Sequence, residues 1–178
     1  EQNSYLKRTW ANISLDAIVE NYRFVRKHAA PDVKVMAVVK ADAYGHGVKF
    51  VAPALQEAGA DWFAVSNLEE ALQLRAIGIA RPILILGYTP PQTAKLLARH
   101  KISQTVFDRG YGEQLSAAAR EAGVTVSVHI KVDTGMSRIG FVYRPNSGEA
   151  ADEMAAVCRL AGLYPEGIFT HFAAADYD

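Results

Sequence analysis

The amino-acid sequence predicts an α/β protein with a parallel sheet, and three observations support this. Short apolar runs rich in Val and Ile alternate with amphipathic stretches along the chain. Gly, Pro or Asp bound these runs, and residues that cap helices stand between them. The connections are short, so consecutive strands should be parallel with right-handed crossovers. The predicted strands are Val33–Val39, Trp62–Val65, Ile83–Leu86, Thr105–Phe107, Val124–Val132 and Gly167–Phe172.

Two architectures fit this order of elements: an open doubly wound sheet and a closed (β/α)8 TIM-type barrel. A complete barrel needs eight strands and about 250 residues, whereas this chain has 178 residues. It also stops a few residues after a strand with no helix to follow, which favours a barrel truncated to about six strands. Residues 15–178 are therefore predicted to form an incomplete barrel.

An additional strand is predicted before the first helix. Residues 9–14 (TWANIS) have the pattern of a strand, but no sequential partner is available for them. Because a strand needs a neighbour for its backbone hydrogen bonds, we expect residues 1–14 to pair with a β domain outside this segment.

The predicted helices have recognisable ends. Ser14 can cap the first helix, Asn67 with Glu70 resembles a capping box, and Gly59, Gly78 and Gly123 fit helix ends. The last helix is expected over residues 147–160. The spacing of the single cysteine, Cys158, places it on the inner face of that helix, so we expect it to be buried.

The composition excludes several classes of function. Lys plus Arg and Asp plus Glu each total 19, so no charge excess points to nucleic acid or an anionic membrane. No apolar run approaches the roughly 20 residues of a membrane span. One cysteine cannot form an internal disulfide, and no spacing suggests a metal site. We expect a cytoplasmic protein that acts on a small molecule.

Lys40 is the first candidate for chemistry. It follows a buried apolar run, so it should lie at the carboxyl end of a strand, where α/β sites are found. Desolvation there favours the neutral amine, which can attack a carbonyl and form a Schiff base. Gly45 and Gly47 allow a tight turn next to Tyr44, which offers a hydroxyl group beside that turn. The alternative is a solvated lysine that merely ends a strand.

A second polar group lies on the strand predicted over Val124–Val132. Alternation along it places Lys131 and the following Asp133 on one face, predicted to point into the barrel and to be buried or half-buried. Arg138 follows a Thr-Gly-Met-Ser turn that can bring it back over the strand end. The alternative is a polar surface face on an edge strand.

Two further residues lie at predicted strand ends. His171 ends an apolar strand, where a lone histidine is more commonly a core residue with satisfied hydrogen bonds. Leu86 ends the strand beginning at Ile83. Neither residue defines a site from its pattern alone.

The string KADAYGHG, from Lys40 to Gly47, resembles the cofactor-lysine signature of the alanine racemase family, in which Asn is commoner at the position of Asp42. The string KVDTGMSRIG, from Lys131 to Gly140, is similar to that family's second signature. Residues 8–16 resemble its opening strand, which packs with a carboxyl-terminal β domain. The resemblance covers nearly the whole chain and is most specific at the two signatures.

The resemblance implies a function and a set of roles. It implies pyridoxal 5'-phosphate held by Lys40, which also acts as a catalytic base in interconverting L- and D-alanine for cell-wall peptidoglycan. It further implies that Tyr44, Leu86, Arg138 and His171 bind the cofactor, that Arg138 also binds the substrate carboxylate, and that Lys131 is carbamylated. The family's second base, a tyrosine from the partner subunit of a homodimer, has no match in this sequence.

Other functions stay open at this stage. A serine or serine/alanine racemase of the glycopeptide-resistance type, which would have a membrane-anchored parent, resembles the family through this region. A barrel amino-acid decarboxylase shares the fold and the lysine but lacks the paired signatures. A non-catalytic pyridoxal-phosphate-binding barrel is the third alternative. Since the second base and the phosphate-binding loop are missing, we expect the 178-residue segment alone to be inactive.

Overall fold

The computed structural model describes residues 9–175, and one parallel sheet with helices packed against it dominates this range. Its strands are β1 (Met36–Val38), β2 (Trp62–Val65), β3 (Ile83–Ile85), β4 (Ile102–Val106), β5 (Val126–Asp133), β6 (Phe141–Val142) and β7 (Leu163–Thr170). Its helices are α1 (Leu15–His28), α2 (Lys40–Tyr44), α3 (Val48–Glu57), α4 (Leu68–Ala76), a 3-10 turn (Pro91–Thr93), α5 (Ala94–Arg99), α6 (Arg109–Glu121) and α7 (Glu149–Cys158).

The strands follow one another across the sheet in chain order. From β1 to β5, each strand lies beside the next one in the sheet. β7 pairs with β5, and every pairing is parallel. The six strands predicted from the sequence are thus confirmed, with ends that shift by a few residues. The two-residue strand β6, which pairs with Val132 and Asp133, was not predicted.

The pairing of β5 with β7 contains a β-bulge. Val128 pairs with Pro165, whereas the next residue, His129, pairs with Gly167. One residue of β7 is therefore extra, and beyond the bulge Lys131 pairs with Phe169. Because paired residues in neighbouring strands point to the same face, the bulge decides which side chain of β7 accompanies Lys131.

The hydrophobic core lies between the sheet and the helices. Alternate strand residues such as Phe63, Ile83 and Val106 are fully buried against helix residues such as Leu74 and Leu115. Helices α1 and α4 begin where the sequence predicts, after Ser14 and Asn67, whereas the cap of α6, Asp108, was not predicted. The side chains of Ser14, Asn67 and Asp108 accept the N–H three residues later, which satisfies a free donor at each helix start.

One predicted burial is wrong. Cys158 is exposed, and its neighbour Val157 faces the core with no accessible surface. One residue rotates the side chain by about 100° around a helix, and α7 uses Val157 for its inner face. The helix is also shorter than the predicted 147–160.

The amino-terminal strand stays a prediction. Residues 9–14 have no strand pairing inside the described range, as expected if their partner lies elsewhere, and residues 1–8 and 176–178 fall outside that range. Among the described residues, no helix is both long and apolar enough to cross a membrane.

Candidate active site

A cavity of about 420 Å³ opens where β1, β2, β3, β5 and β7 end. All the residues that the sequence singles out for the site contribute to its lining: Lys40, Tyr44, Leu86, Lys131, Arg138 and His171. They come from four separate stretches of chain, which the parallel arrangement brings to one edge of the sheet. A volume of this size suits a small cofactor or ligand.

Lys40 lies two residues beyond β1 and is half-buried. It begins α2, whose residues 41–44 all have left-handed backbone angles, with φ between 51° and 55°. Its Nζ atom lies 5.9 Å from the centre of the Tyr44 ring, and Tyr44 itself is 58% exposed. The turn therefore presents a lysine amine and a tyrosine hydroxyl to the same opening.

The same turn joins directly to helix α3. The carboxylate of Asp42 accepts the N–H of Val48 at 2.7 Å, in the first turn of α3. Gly45 and Gly47 have φ of 81° and 88°, a region that glycine enters without a steric penalty. An Asn side chain has an equivalent acceptor oxygen, so the departure from the family signature at Asp42 preserves this contact.

On β5, Lys131 and Asp133 are 4% and 5% exposed, which confirms that they are buried. The Asp133 carboxylate accepts the backbone N–H groups of Gly135, Ser137 and Arg138 at 2.9–3.2 Å. Hydrogen bonds from Ser137 and Gly135 lower the pKa of Asp133 below its ordinary value of 3.8, against a smaller opposing effect of burial. This carboxylate organises the loop that carries Arg138.

The loop then passes very close to Lys131. Gly140 has φ of 131°, and a Cβ built there would lie 2.8 Å from Asp133 N and 3.0 Å from Lys131 Cγ. Only a residue without a side chain fits this approach. The loop returns over the strand end as the sequence predicts, and Arg138 reaches the cavity.

The Lys131 amine sits in a low-polarity position. Its Nζ lies 5.3 Å from the centre of the Phe169 ring, and its one hydrogen bond within residues 9–175, to Val132 O, is long at 3.5 Å. Burial lowers the pKa of Lys131; nearby Asp133 opposes this, and the positive charge of Arg138 reinforces it. The uncharged form of the amine is therefore more populated at Lys131 than at a solvated lysine.

Leu86 and His171 complete the predicted set. Leu86 directly follows β3, where its N–H donates to Val65 O at 2.8 Å. His171 directly follows β7 and is exposed, so the interpretation as a core histidine is wrong. Both side chains reach the cavity from strand ends.

Sequence reasoning missed several lining residues: Val38, Ser66, Gly87, Tyr88, Ile139 and Phe169. Ser66 follows β2 and Gly87 follows β3, so their positions at strand ends were the available signal. Glycine is required at position 87 because the backbone there passes close to Ser66: a Cβ at this position would lie 2.6 Å from Ser66 O. Phe169 could not be assigned to the cavity from the sequence, because the bulge in β7 decides which face of the sheet this side chain occupies.

The lining fits an anionic aromatic aldehyde. The Lys40 amine suits a carbonyl, the Arg138 guanidinium suits an oxygen anion, and Leu86 offers an apolar contact for a ring. Within the described range no cluster of three His, Cys, Asp or Glu residues could hold a metal. Fold and site together define a (β/α)-barrel protein whose pocket is lined by a lysine at the end of its first strand.

Comparisons identify the family. Residues 13–178 match the family described as "Alanine racemase, N-terminal domain". Alanine racemase 1 of Caldanaerobacter subterraneus is 43% identical over 97% of this chain, and the match spans 44% of that relative. The alanine racemase structure from Clostridium difficile 630 superposes with a TM-score of 0.86 at 38% identity, over 96% of this chain and 44% of that one. The chain belongs to the alanine racemase family.

The family assignment settles the fold and the cofactor class. The sheet is the truncated TIM-type barrel of the family's amino-terminal domain, and the family depends on pyridoxal phosphate. A histidine racemase from Leuconostoc mesenteroides is also similar, with a TM-score of 0.79 and 35% identity over 92% of this chain and 43% of that one. The chain spans less than half the length of these relatives.

Proposed function

We propose that the protein, at its natural length, interconverts L- and D-alanine with pyridoxal phosphate held by Lys40. The observation that carries this proposal is the convergence of all six predicted side chains on one cavity. When bound, pyridoxal phosphate withdraws electrons from Cα of the amino acid. With the cofactor present, Lys40 would remove or return the Cα proton on one face of the amino acid.

The other side chains bind and orient. Tyr44 would donate a hydrogen bond from its hydroxyl to the cofactor phosphate, and Leu86 and His171 would help to hold the ring. Arg138 would bind the phenolic oxygen of the cofactor and the carboxylate of the substrate, for which a planar guanidinium is suited. The positions of these residues around the cavity support each assignment.

Lys131 is proposed to carry a carbamate. The ammonium group first loses one proton; the neutral amine then attacks CO2, an N–C bond forms and a second proton is released, so that a cation becomes an anion. Burial favours the neutral amine that this reaction needs. The resulting carboxylate removes the repulsion between Lys131 and Arg138 and hydrogen-bonds the guanidinium.

The rest of the machinery comes from outside this segment. We propose a cytoplasmic homodimer in which a carboxyl-terminal domain of the partner subunit supplies the second base, and a D-alanine product used for peptidoglycan. The matched relatives extend well beyond the matched region, which leaves room for that domain. The segment of 178 residues alone is expected to be inactive.

A labelling experiment tests the proposal. The full-length protein is loaded with pyridoxal phosphate and reduced with borohydride, and peptide mass mapping should place the label on Lys40. Lys40→Arg should lose the label and reduce turnover about 10²–10⁴-fold, while the exposed Lys49→Arg serves as control. An unlabelled Lys40 in the wild type would contradict the proposal.

A substrate panel separates the alternatives. Deuterium exchange at Cα is measured with alanine, serine and histidine, because a similar barrel occurs in a histidine racemase. Faster exchange of serine than alanine would favour the serine racemase alternative. Label on Lys40 without exchange of any amino acid would favour a non-catalytic binding protein.

A further inference from the structure

The turn that carries Lys40 has an unusual backbone. Four consecutive residues with side chains, Ala41 to Tyr44, have φ between 51° and 55°. A left-handed helical conformation costs roughly 1–2 kcal/mol per residue for L-amino acids. Such a run persists only where its surroundings fix it, so contacts from outside the turn decide how firmly Lys40 is placed.

Glu70, on helix α4, makes such contacts. Its Oε1 accepts the N–H of Ala41 at 2.8 Å, and its Oε2 accepts both the N–H and the hydroxyl of Ser66 at 2.8 Å. Among the described hydrogen bonds, it is the one side chain from beyond residues 40–48 that bonds the backbone of this turn. Ser66 is itself a lining residue of the cavity.

These contacts go beyond helix capping. Asn67 caps α4 by accepting the N–H of Glu70 at 2.9 Å. In a capping box the glutamate side chain would reach back to the N–H of the cap residue. Instead both oxygens of Glu70 connect the peptide after Lys40 with the end of β2.

The charge state of Glu70 agrees with this arrangement. Partial burial alone would raise the pKa of Glu70, but hydrogen bonds from Ser66 and Ala41, together with the charge of Lys40, lower it below its ordinary value of 4.5. The side chain is therefore an anion at neutral pH, and hydrogen bonds to a charged acceptor are the stronger kind.

We propose that Glu70 is a positioning residue for Lys40, whose carboxylate clamps the left-handed turn to the end of β2 and sets the approach of the Lys40 amine to the cofactor aldehyde. This inference rests on the proposed function, since it assumes that Lys40 binds the cofactor. Glu70 touches neither cofactor nor substrate in this role. It acts through the peptide that follows Lys40.

The test compares Glu70→Gln with Glu69→Gln in the full-length protein. Glu69 is the neighbouring carboxylate on α4 and is exposed. The rate of covalent attachment of pyridoxal phosphate is measured from its visible absorbance. The rate of hydrogen exchange is measured at the Ala41 amide. Glu70→Gln should slow attachment about ten- to a hundredfold, the loss expected for hydrogen bonds to a charged group, and should speed Ala41 exchange; Glu69→Gln should match the wild type.

A binding measurement excludes a merely structural effect. Pyridoxine phosphate carries an alcohol in place of the aldehyde, so it binds without reacting. Its Kd should change less than twofold in Glu70→Gln if only the approach of Lys40 is altered. An equal loss of pyridoxine phosphate binding and of attachment would overturn the positioning role.

The remaining outcomes are also decisive. Attachment by Glu70→Gln at the wild-type rate would overturn the proposal. If Glu70→Gln fails to fold, Ser66→Ala replaces it in the test, because this variant removes one hydrogen bond of the Glu70 carboxylate. Slower cofactor attachment and faster Ala41 exchange in Ser66→Ala would support the clamp. Unchanged rates of attachment and exchange would overturn it. If the wild type attaches no cofactor at Lys40, the proposed function fails, while Ala41 exchange still tests the clamp.

Discussion

Lys40 and Lys131 reach one cavity from two different kinds of backbone. Lys40 stands on a left-handed turn after a three-residue strand and is half-buried, whereas Lys131 lies within an eight-residue strand and is 4% exposed. An amine that must form and break a bond needs access and some freedom. An amine that only orients a neighbour needs a rigid, dry position. The difference supports the proposed attachment of the cofactor at Lys40 on the turn and the proposed supporting role of Lys131 on the strand.

The largest effect that sharpens this comparison is expected for Lys131→Met. Without the proposed carbamate on residue 131, Arg138 would lose a charge-assisted partner, and turnover should fall about ten- to a hundredfold. Attachment of cofactor to Lys40 should remain, as borohydride labelling would check. Loss of that label in Lys131→Met would mean that the two lysines do not have separate roles.

A second prediction concerns the loop against Lys131. Gly140→Ala adds a Cβ at a φ of 131° and 2.8 Å from Asp133 N, so it should lower the free energy of unfolding by about 1–3 kcal/mol. Gly148→Ala is the matched control, because Gly148 has an ordinary φ of −74° and its nearest contact would be 3.8 Å away. Urea unfolding measures both, and equal stability would refute the close approach.

A third prediction uses pH. The folded-state pKa of Asp133 is depressed, so its contribution is complete above the ordinary value of 3.8 and is lost as pH falls through the folded-state pKa. The amide NMR signals of Gly135 and Ser137 should therefore shift at acid pH. In Asp133→Asn this acid shift should disappear, whereas the exposed Asp152→Asn should retain it.

The smallest effect is expected at Asp42. Asp42→Asn keeps an oxygen that can accept the Val48 N–H, so stability and cofactor attachment should be close to wild type. Asp42→Ala should cost about 0.5–2 kcal/mol, as for the loss of a helix cap. Thermal unfolding of both variants provides the measurement, and similar losses in the two would exclude a role for that contact.

Much of the fold could be predicted from the sequence. Strand β2 was located exactly, and the others within a few residues, because buried strands between Gly and Pro have a strong pattern. β6 was missed because two residues carry no periodicity, and α5 because a six-residue helix carries little. Cys158 was assigned to the wrong face because its neighbour Val157 could equally complete the inner stripe.

The predictable part of the candidate site was the four residues in the two glycine-containing strings, Lys40, Tyr44, Lys131 and Arg138, and the strand-end residues Leu86 and His171. The two glycine-containing strings located Lys40 and Arg138, but the left-handed run at Ala41–Tyr44 has no sequence signal because those residues disfavour it. Glu70 fitted a capping box, and its bond to Ala41 joins residues 29 apart in sequence. Contacts of that kind depend on the sheet that brings β1 and β2 together.

The bulge between β5 and β7 determines how this region can vary. If the intact strands paired without the bulge, the residues after Pro165 would shift by one position and Ile168, not Phe169, would stand opposite Lys131. Every later residue of β7 would change faces as well, and His171 would turn away from the pocket. In this region, homologous chains must therefore be aligned by strand pairing, because a gap misplaced by a single residue exchanges pocket residues for surface ones.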